Sequence, residues 1–247
     1  MAAPVVASYA NTVAAYVTGR PEYPVALFAD LPKSDTVVDL GAGTGKFTAL
    51  IAGHAKRVIA VEPVAAMAAR IPVDRFPNIE VVIADAEKLP IVDGTADLIC
   101  CPTAFHWFDY EKAISEIWRV LGDGGSLALI WNVRDDRVSW VKAFNAVMDS
   151  YAGDTPRQSS GKWRVIFDDA RFVHLQSSSY PFTQPMAASG IVDRALSTSF
   201  IAALPETERG LVRTRIGEII AREPSLLGQA DIQFPYVTQL YLFGKRC

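Results

Sequence analysis

Short apolar runs alternate with amphipathic stretches along this chain, most regularly between residues 35 and 135. Thr36 to Leu40 is an apolar run of the kind a strand buried on both faces requires, and residues 46–53 read as the helix that follows. Arg57 to Pro63 is a second such run, Ala65 to Ala69 a helix start, and Asn78 to Ala86 a third strand. Ala96 to Cys101 reads as a fourth strand and Ser126 to Asn132 as a fifth. Between them, Tyr110 to Leu121 places Ala113, Ile114, Ile117, Val120 and Leu121 on one helical face, and Gly122 to Gly125 should stop that helix. Strands and helices alternating at this pitch predict an α/β fold with a doubly wound, mostly parallel sheet and a site on its carboxyl edge.

The flanking segments are less regular. Residues 1–34 form an N-terminal segment in which Ser8 to Val17 could make one or two helical turns. Gly19-Arg20-Pro21-Glu22-Tyr23-Pro24 is stiff and rich in large side chains, and reads either as a lid over the strand ends or as a packing arm. Val25 to Leu31 is expected to be helical. Beyond residue 135, Val138 to Tyr151, Ala187 to Phe200 and Glu206 to Ala221 have helical character, Gly153 to Gly161 is a polar loop, and Phe172 to Phe182 and Phe234 to Phe243 read as strands. Residues 35–135 are thus the expected binding core. Residues 136–247 should continue the same domain, with 140–170 and 185–225 as helical cover over a substrate mouth.

Composition narrows the field. The 247 residues are half apolar and carry a formal net charge of −3, so a large core is expected and no electrostatic footprint for nucleic acid or an acidic membrane. Cys100 and Cys101 are adjacent and Cys247 is the last residue, which is neither disulfide nor zinc spacing and suits a reducing compartment. Met1 to Ser8 lacks a basic leader, and no apolar stretch approaches about 20 residues, so a cytoplasmic protein with no membrane span is expected.

The densest chemistry lies at Asp39-Leu40-Gly41-Ala42-Gly43-Thr44-Gly45-Lys46. The dinucleotide fingerprint Gly-x-Gly-x-x-Gly fails here, because Lys46 stands at its third glycine. The phosphate-binding loop Gly-x-x-x-x-Gly-Lys-Ser/Thr fails twice, at Leu40 and Phe47. What remains is a strand-to-helix turn where backbone can approach a small polar ligand closely. Two further strands end in acids. Glu62, followed by Pro63, lies about 20 residues after the turn, where one carboxylate can accept from both hydroxyls of a ribose. It could instead be a helix-start acid. Asp85-Ala86 closes the third strand, its carboxylate suited to an exocyclic amine and its neighbouring amide to a ring nitrogen. Met67 could lie against a flat ring or simply fill core. After the fourth strand come Pro102-Thr103 and Phe105-His106-Trp107-Phe108, and Trp131 ends the fifth. Trp107 and Trp131 are expected in a pocket and Phe105 in the core.

Asp39-x-Gly41-x-Gly43-x-Gly45, Glu62-Pro63 with Met67, Asp85-Ala86 and Leu121-Gly122-Asp123-Gly124-Gly125 together resemble the class I S-adenosylmethionine-dependent methyltransferases across about residues 35–135. More narrowly, Tyr16-x-x-x-Arg20-Pro21-x-Tyr23-Pro24, Phe105-His106-Trp107-Phe108 and Trp131-Asn132-Val133-Arg134-Asp135 are similar to a small-molecule group that includes trans-aconitate methyltransferase-like proteins. The resemblance implies a Rossmann-like, seven-stranded sheet with an antiparallel last strand. It implies that Asp39, Gly41, Ala42, Gly43 and Gly45 hold the methionine part of S-adenosylmethionine, Glu62 and Pro63 the ribose, and Met67, Asp85 and Ala86 the adenine, with Pro102 bordering the methionine. S-adenosylhomocysteine would be the product, and a small molecule the methyl acceptor. Tyr16, Arg20, Tyr23, His106, Trp107 and Trp131 are the candidate acceptor contacts. Displacement at a sulfonium needs no metal, and it needs a base only for an acceptor that arrives protonated. His106 is the candidate for that task, or else it orients the substrate. Residues 140–235 match no motif. A nicotinamide-dependent oxidoreductase and a non-catalytic S-adenosylmethionine-binding protein are the alternatives.

Overall fold

A computed structural model describes residues 21–246. Tyr16, Arg20 and Cys247, and with them most of the expected N-terminal segment, lie outside the described residues. The elements are β1 (Thr36–Leu40), α1 (Lys46–Ile51), β2 (Arg57–Val61), α2 (Ala65–Ala68), β3 (Ile79–Val82), β4 (Ala96–Pro102) and α3 (Tyr110–Val120). They are followed by β5 (Leu121–Arg134), α4 (Ser139–Asp149), β6 (Phe172–Met186), α5 (Ala188–Leu196), α6 (Ser199–Ala202), α7 (Glu206–Arg222) and β7 (Ile232–Lys245). Among the described residues, no helix is long and apolar enough to cross a membrane.

The seven strands form one sheet in the order β3-β2-β1-β4-β5-β7-β6. β1 to β5 are mutually parallel. β7 inserts antiparallel between β5 and β6, so the expected antiparallel last strand is present but β6, not β7, forms the edge. The order reverses beside β1, so the carboxyl ends of β1 and β4 diverge and open a crevice there.

Strand alternation builds a core on each face. Val38 and Leu40 of β1 join Ile59, Val61, Ile99, Ile114 and Ile117 in one buried cluster, while Val37 joins Val58, Phe47, Ile51, Leu98 and Ile130 in another. A third cluster lies under the C-terminal helices, where Trp140 and Phe144 of α4, Ile191 of α5, and Val212 and Ile216 of α7 pack against Phe234 and Tyr236 of β7.

Several expected boundaries shift. Val25–Ala29 is a single 3-10 turn instead of a helix reaching Leu31. Pro24 leads into it, and the Asp30 carboxylate then accepts hydrogen bonds from Tyr180, Ser178 and Gln176 of β6, which holds the chain out of a helical path. β3 ends at Val82, because an edge strand has one neighbour and β2 pairs with it only that far, so Asp85 sits in the following loop. β5 begins at Leu121 and takes in the glycines expected to be a loop. Its register with β4 jumps between Ala96↔Leu121 and Leu98↔Ser126, and Gly125 passes so close to the Ala96 carbonyl that a Cβ would stand 3.2 Å from it. β6 runs on to Met186 through Pro181 and Pro185, which an edge strand tolerates because one side of its ladder is unpaired. The helix expected over Ala187 to Phe200 breaks at Ser197-Thr198, where Thr198 is extended.

Candidate active site

The glycine turn owes its shape to three left-handed residues, Gly41, Gly43 and Gly45 (φ +80°, +60° and +84°), a conformation side chains rarely adopt. They divide the labour. A Cβ on Gly41 would fall 2.4 Å from that of Ala104, and Gly41 and Gly43 line a cavity of about 480 Å³ at the strand ends. Gly45 does not line this cavity; it starts α1 against Ile71 and Pro72.

Glu62 follows β2 and is 3% exposed. One carboxylate oxygen accepts from the Gly43 amide at 2.9 Å and the other from the Val64 amide at 2.9 Å. Each oxygen keeps a lone pair, and the group lines the cavity. Burial raises its pKa despite those two amides, and Asp85 adds to the rise. Pro63, Met67, Asp85 and Ala86 line the same end of the cavity.

Asp39 is fully buried between β2 and β4. Its Oδ2 accepts from the Thr48 hydroxyl at 2.6 Å, and its buried Oδ1 has no hydrogen-bond partner among the described residues. Burial, opposed by the Thr48 bond and reinforced by Glu62, lifts its pKa from 3.8 to about 7. Asp39 and Ala42 line a second, smaller cavity of about 60 Å³, with Tyr23, Phe47, Thr103 and Arg194. Tyr23 stands edge-on to Phe47 at 5.2 Å and lies 3.4 Å from the Thr103 hydroxyl. The Asn132 amide donates to the Glu22 carbonyl and Lys46 pairs with the Glu22 carboxylate, so residues 22 and 23 are tied across the strand ends. Thr103 has φ +56°, a strained setting for a β-branched residue. Gly41, Pro102, Thr103, Asn132 and Arg194 line both cavities.

The aromatic segment forms a 3-10 turn, Phe105–Trp107. Phe105 is fully buried in the core, while His106, Trp107 and Phe108 line the large cavity. Trp131 of β5 lines it too, and its indole donates to His106 Nδ1 at 3.1 Å.

The far wall of the cavity comes from the stretch without motifs. Asn145 and Asp149 of α4, Arg157 and Gln158 of the following loop, and Thr198 and Phe200 around the helix break all line it. Arg157 pairs with Asp149 at 2.6 Å, and Gln158 donates to Gln239 of β7 at 3.0 Å. Arg194 of α5 is only 7% exposed, and its Nη1 donates to the Thr198 hydroxyl at 3.2 Å. Reasoning from sequence missed these residues because they obey no spacing. Arg194 itself follows Asp193 in Ile191-Val192-Asp193-Arg194-Ala195-Leu196, where it reads as one of a pair of surface charges.

The site fits S-adenosylmethionine on its own terms. An orphaned carboxylate oxygen is buried where a ligand cation would satisfy it, backbone lies bare at Gly41 where a side chain would intrude, and an oriented acid stands beside apolar Met67, Ala86 and Pro102. The two cavities that share a wall offer room for a cofactor and a second small molecule, since small-ligand sites run to roughly 300–1,000 Å³.

Comparison with known proteins agrees. Residues 38–129 match the family described as a methyltransferase domain. An uncharacterized methyltransferase-like protein of Schizosaccharomyces pombe is 34% identical over 245 residues, covering 96% of this chain and 95% of that one. An uncharacterized methyltransferase of Mycobacterium tuberculosis is 33% identical over 235 residues, with 94% and 93% covered. The fold is shared with the YcgJ protein from Bacillus subtilis, at a TM-score of 0.57 and 22% identity over 90% of this chain and 96% of that one. It is shared as well with an S-adenosylmethionine-dependent methyltransferase from Thermotoga maritima, at 0.54 and 19% over 97% and 99%. The architecture and its strand-end crevice are those of a class I methyltransferase. The chain belongs to the S-adenosylmethionine-dependent methyltransferases. The nicotinamide alternative falls with that assignment.

Proposed function

We propose that this enzyme methylates a small molecule held between the strand ends and the C-terminal helices, chiefly by positioning it. One observation carries the reading: a single cavity runs from Glu62, Met67 and Asp85 to Asn145, Arg157 and Thr198, joining a cofactor-shaped end to an end with no assigned occupant. S-adenosylmethionine, when bound, supplies a methyl group already activated on a sulfonium. In this reading Glu62 holds the ribose, with Pro63 beside it. Asp85 and the Ala86 amide hold the adenine edge, and Met67 lies against its face. Asp39 takes the methionine ammonium through its unpartnered oxygen, near Gly41, Ala42, Gly43 and Pro102. Tyr23, Trp107, Trp131 and His106 border the acceptor and exclude water. The protein's remaining task is alignment, since reacting atoms must stand about 3 Å apart before a displacement occurs. His106 orients the acceptor. The concave cavity and sparse charge favour a small acceptor over a nucleic acid.

Calorimetric titration with S-adenosylmethionine, S-adenosylhomocysteine and NAD tests the cofactor assignment. Both sulfur compounds should bind and NAD should not. Glu62→Ala and Asp85→Ala should each weaken binding about tenfold or more, as loss of a charged hydrogen-bond acceptor does. Tight binding with no turnover across a broad acceptor screen would favour a non-catalytic binding protein instead.

A further inference from the structure

The bond between Trp131 and His106 fixes more than position. An indole N–H can only donate, so the Nδ1 it reaches at 3.1 Å is an acceptor and carries no proton. The imidazole proton is therefore on Nε2. Trp131 has little freedom to relax this. It is 1% exposed, its backbone is laddered between Ile130 and Asn132 in the middle of the sheet opposite Gln239, and its ring packs on Trp163 at 4.5 Å and Tyr241 at 6.1 Å. A proton on Nδ1 would set two N–H groups against each other and leave the buried indole donor unsatisfied, which costs more than the bond itself contributes. A base accepting through Nε2 would need that nitrogen bare, which moves the proton to Nδ1.

We infer that Trp131 is a positioning residue that holds His106 in its Nε2–H tautomer, so that His106 is not the base of the reaction and the acceptor arrives with its attacking lone pair already free. This rests on the methyltransferase reading of the same site. That lone pair forms the bond to the methyl carbon as the carbon–sulfur electron pair leaves to sulfur, so no proton has to move to His106.

The tautomer can be read without any ligand, and so apart from whether the cofactor binds. In the full chain labelled with 15N-histidine, His106 is identified among His54, His106 and His174 by its absence from His106→Gln. Long-range proton–nitrogen correlation at pH 7 should show Nδ1 bare and Nε2 protonated. In Trp131→Phe the two nitrogens should move toward averaged values. A protonated Nδ1, or a folded Trp131→Phe with the wild-type pattern, would overturn the inference. Should Trp131→Phe fail to fold, two variants at position 106 decide it through transfer of labelled methyl from S-adenosylmethionine to a panel of small carboxylic acids, phenols, alcohols and amines. His106→Gln, which keeps an N–H near the Nε2 position, should stay within about threefold of wild type, and His106→Ala should fall about tenfold or more. Equal losses in both, or turnover confined to alcohols, would overturn it.

Discussion

Asp39 shows how one buried side chain can be unfavourable alone and useful in company. Its pKa, raised to about 7 by burial, means that between about pH 4 and 7 the folded chain keeps a proton that the unfolded chain has released. Stability from this group is fully present below the unfolded value and is lost as pH rises through 7. Thermal unfolding of the ligand-free protein should therefore worsen over that window, and Asp39→Asn should flatten the dependence, leaving the part due to Glu62, whose shift has the same sign. A ligand ammonium beside the carboxylate reverses the balance and expels the proton. Calorimetry at pH 6 in buffers of different ionisation enthalpy should then show proton release on S-adenosylmethionine binding, and less of it in Asp39→Asn. Thr103 is a second local tension. Thr103→Gly and Thr103→Ala lose the same hydroxyl, but only glycine is at ease at φ +56°. The glycine variant should be about 1 kcal/mol more stable than the alanine variant. Thermal denaturation would show this as a difference of about 2–4 °C in Tm for a chain of this size.

At the scale of elements, α5 repays the closest reading. Its break at Ser197-Thr198 lets Thr198 accept from Arg194, with Thr198 lining the large cavity and Arg194 lining both. Arg194 lines the wall that the cavities share, close to Asp39 and Thr103, where the amino-acid end of a cofactor would lie. Arg194→Gln should weaken S-adenosylhomocysteine binding about tenfold and leave methylthioadenosine, which has no amino-acid end, unchanged. Arg194→Lys should recover part of the loss, since it restores the charge without the planar fork. Titration of both ligands, with melting curves as the folding control, checks the pair of outcomes. None of this was legible in advance, because an arginine that reaches a cavity from a cover helix has no neighbours in sequence to announce it. Glu62 differs: it closes an apolar run at a fixed distance from the glycine turn, so strand geometry itself places it. β3 and β5 fall between these cases. Their apolar runs were evident, but their ends are set by the partner strand's register, which no local pattern encodes.

The whole molecule joins two unequal constructions. The parallel half was readable because buried strands and glycine turns leave periodic marks. The antiparallel end was readable as strands but not in its order, since the insertion of β7 inside β6 depends on pairing between residues far apart in the chain. The helices over that end share a core of their own, separate from the two clusters flanking the sheet. Ile216 of α7 is fully buried in that core and lines neither cavity. Ile216→Ala removes packing worth about 2–5 kcal/mol. Because the glycine turn, Glu62 and Asp85 belong to the other construction, the loss should stay local. Hydrogen exchange should quicken in α4, α5 and α7 while β1, β2 and β4 keep their protection. Methylthioadenosine, which does not reach Arg194 on α5, should still bind within about twofold, as expected for a distant, independent site. The KM for the acceptor should rise, since Asn145, Arg157 and Thr198 reach the cavity from the loosened side. Uniformly faster exchange through the sheet would mean instead that cover and sheet unfold as one, and that acceptor and cofactor ends of the cavity cannot be tuned apart.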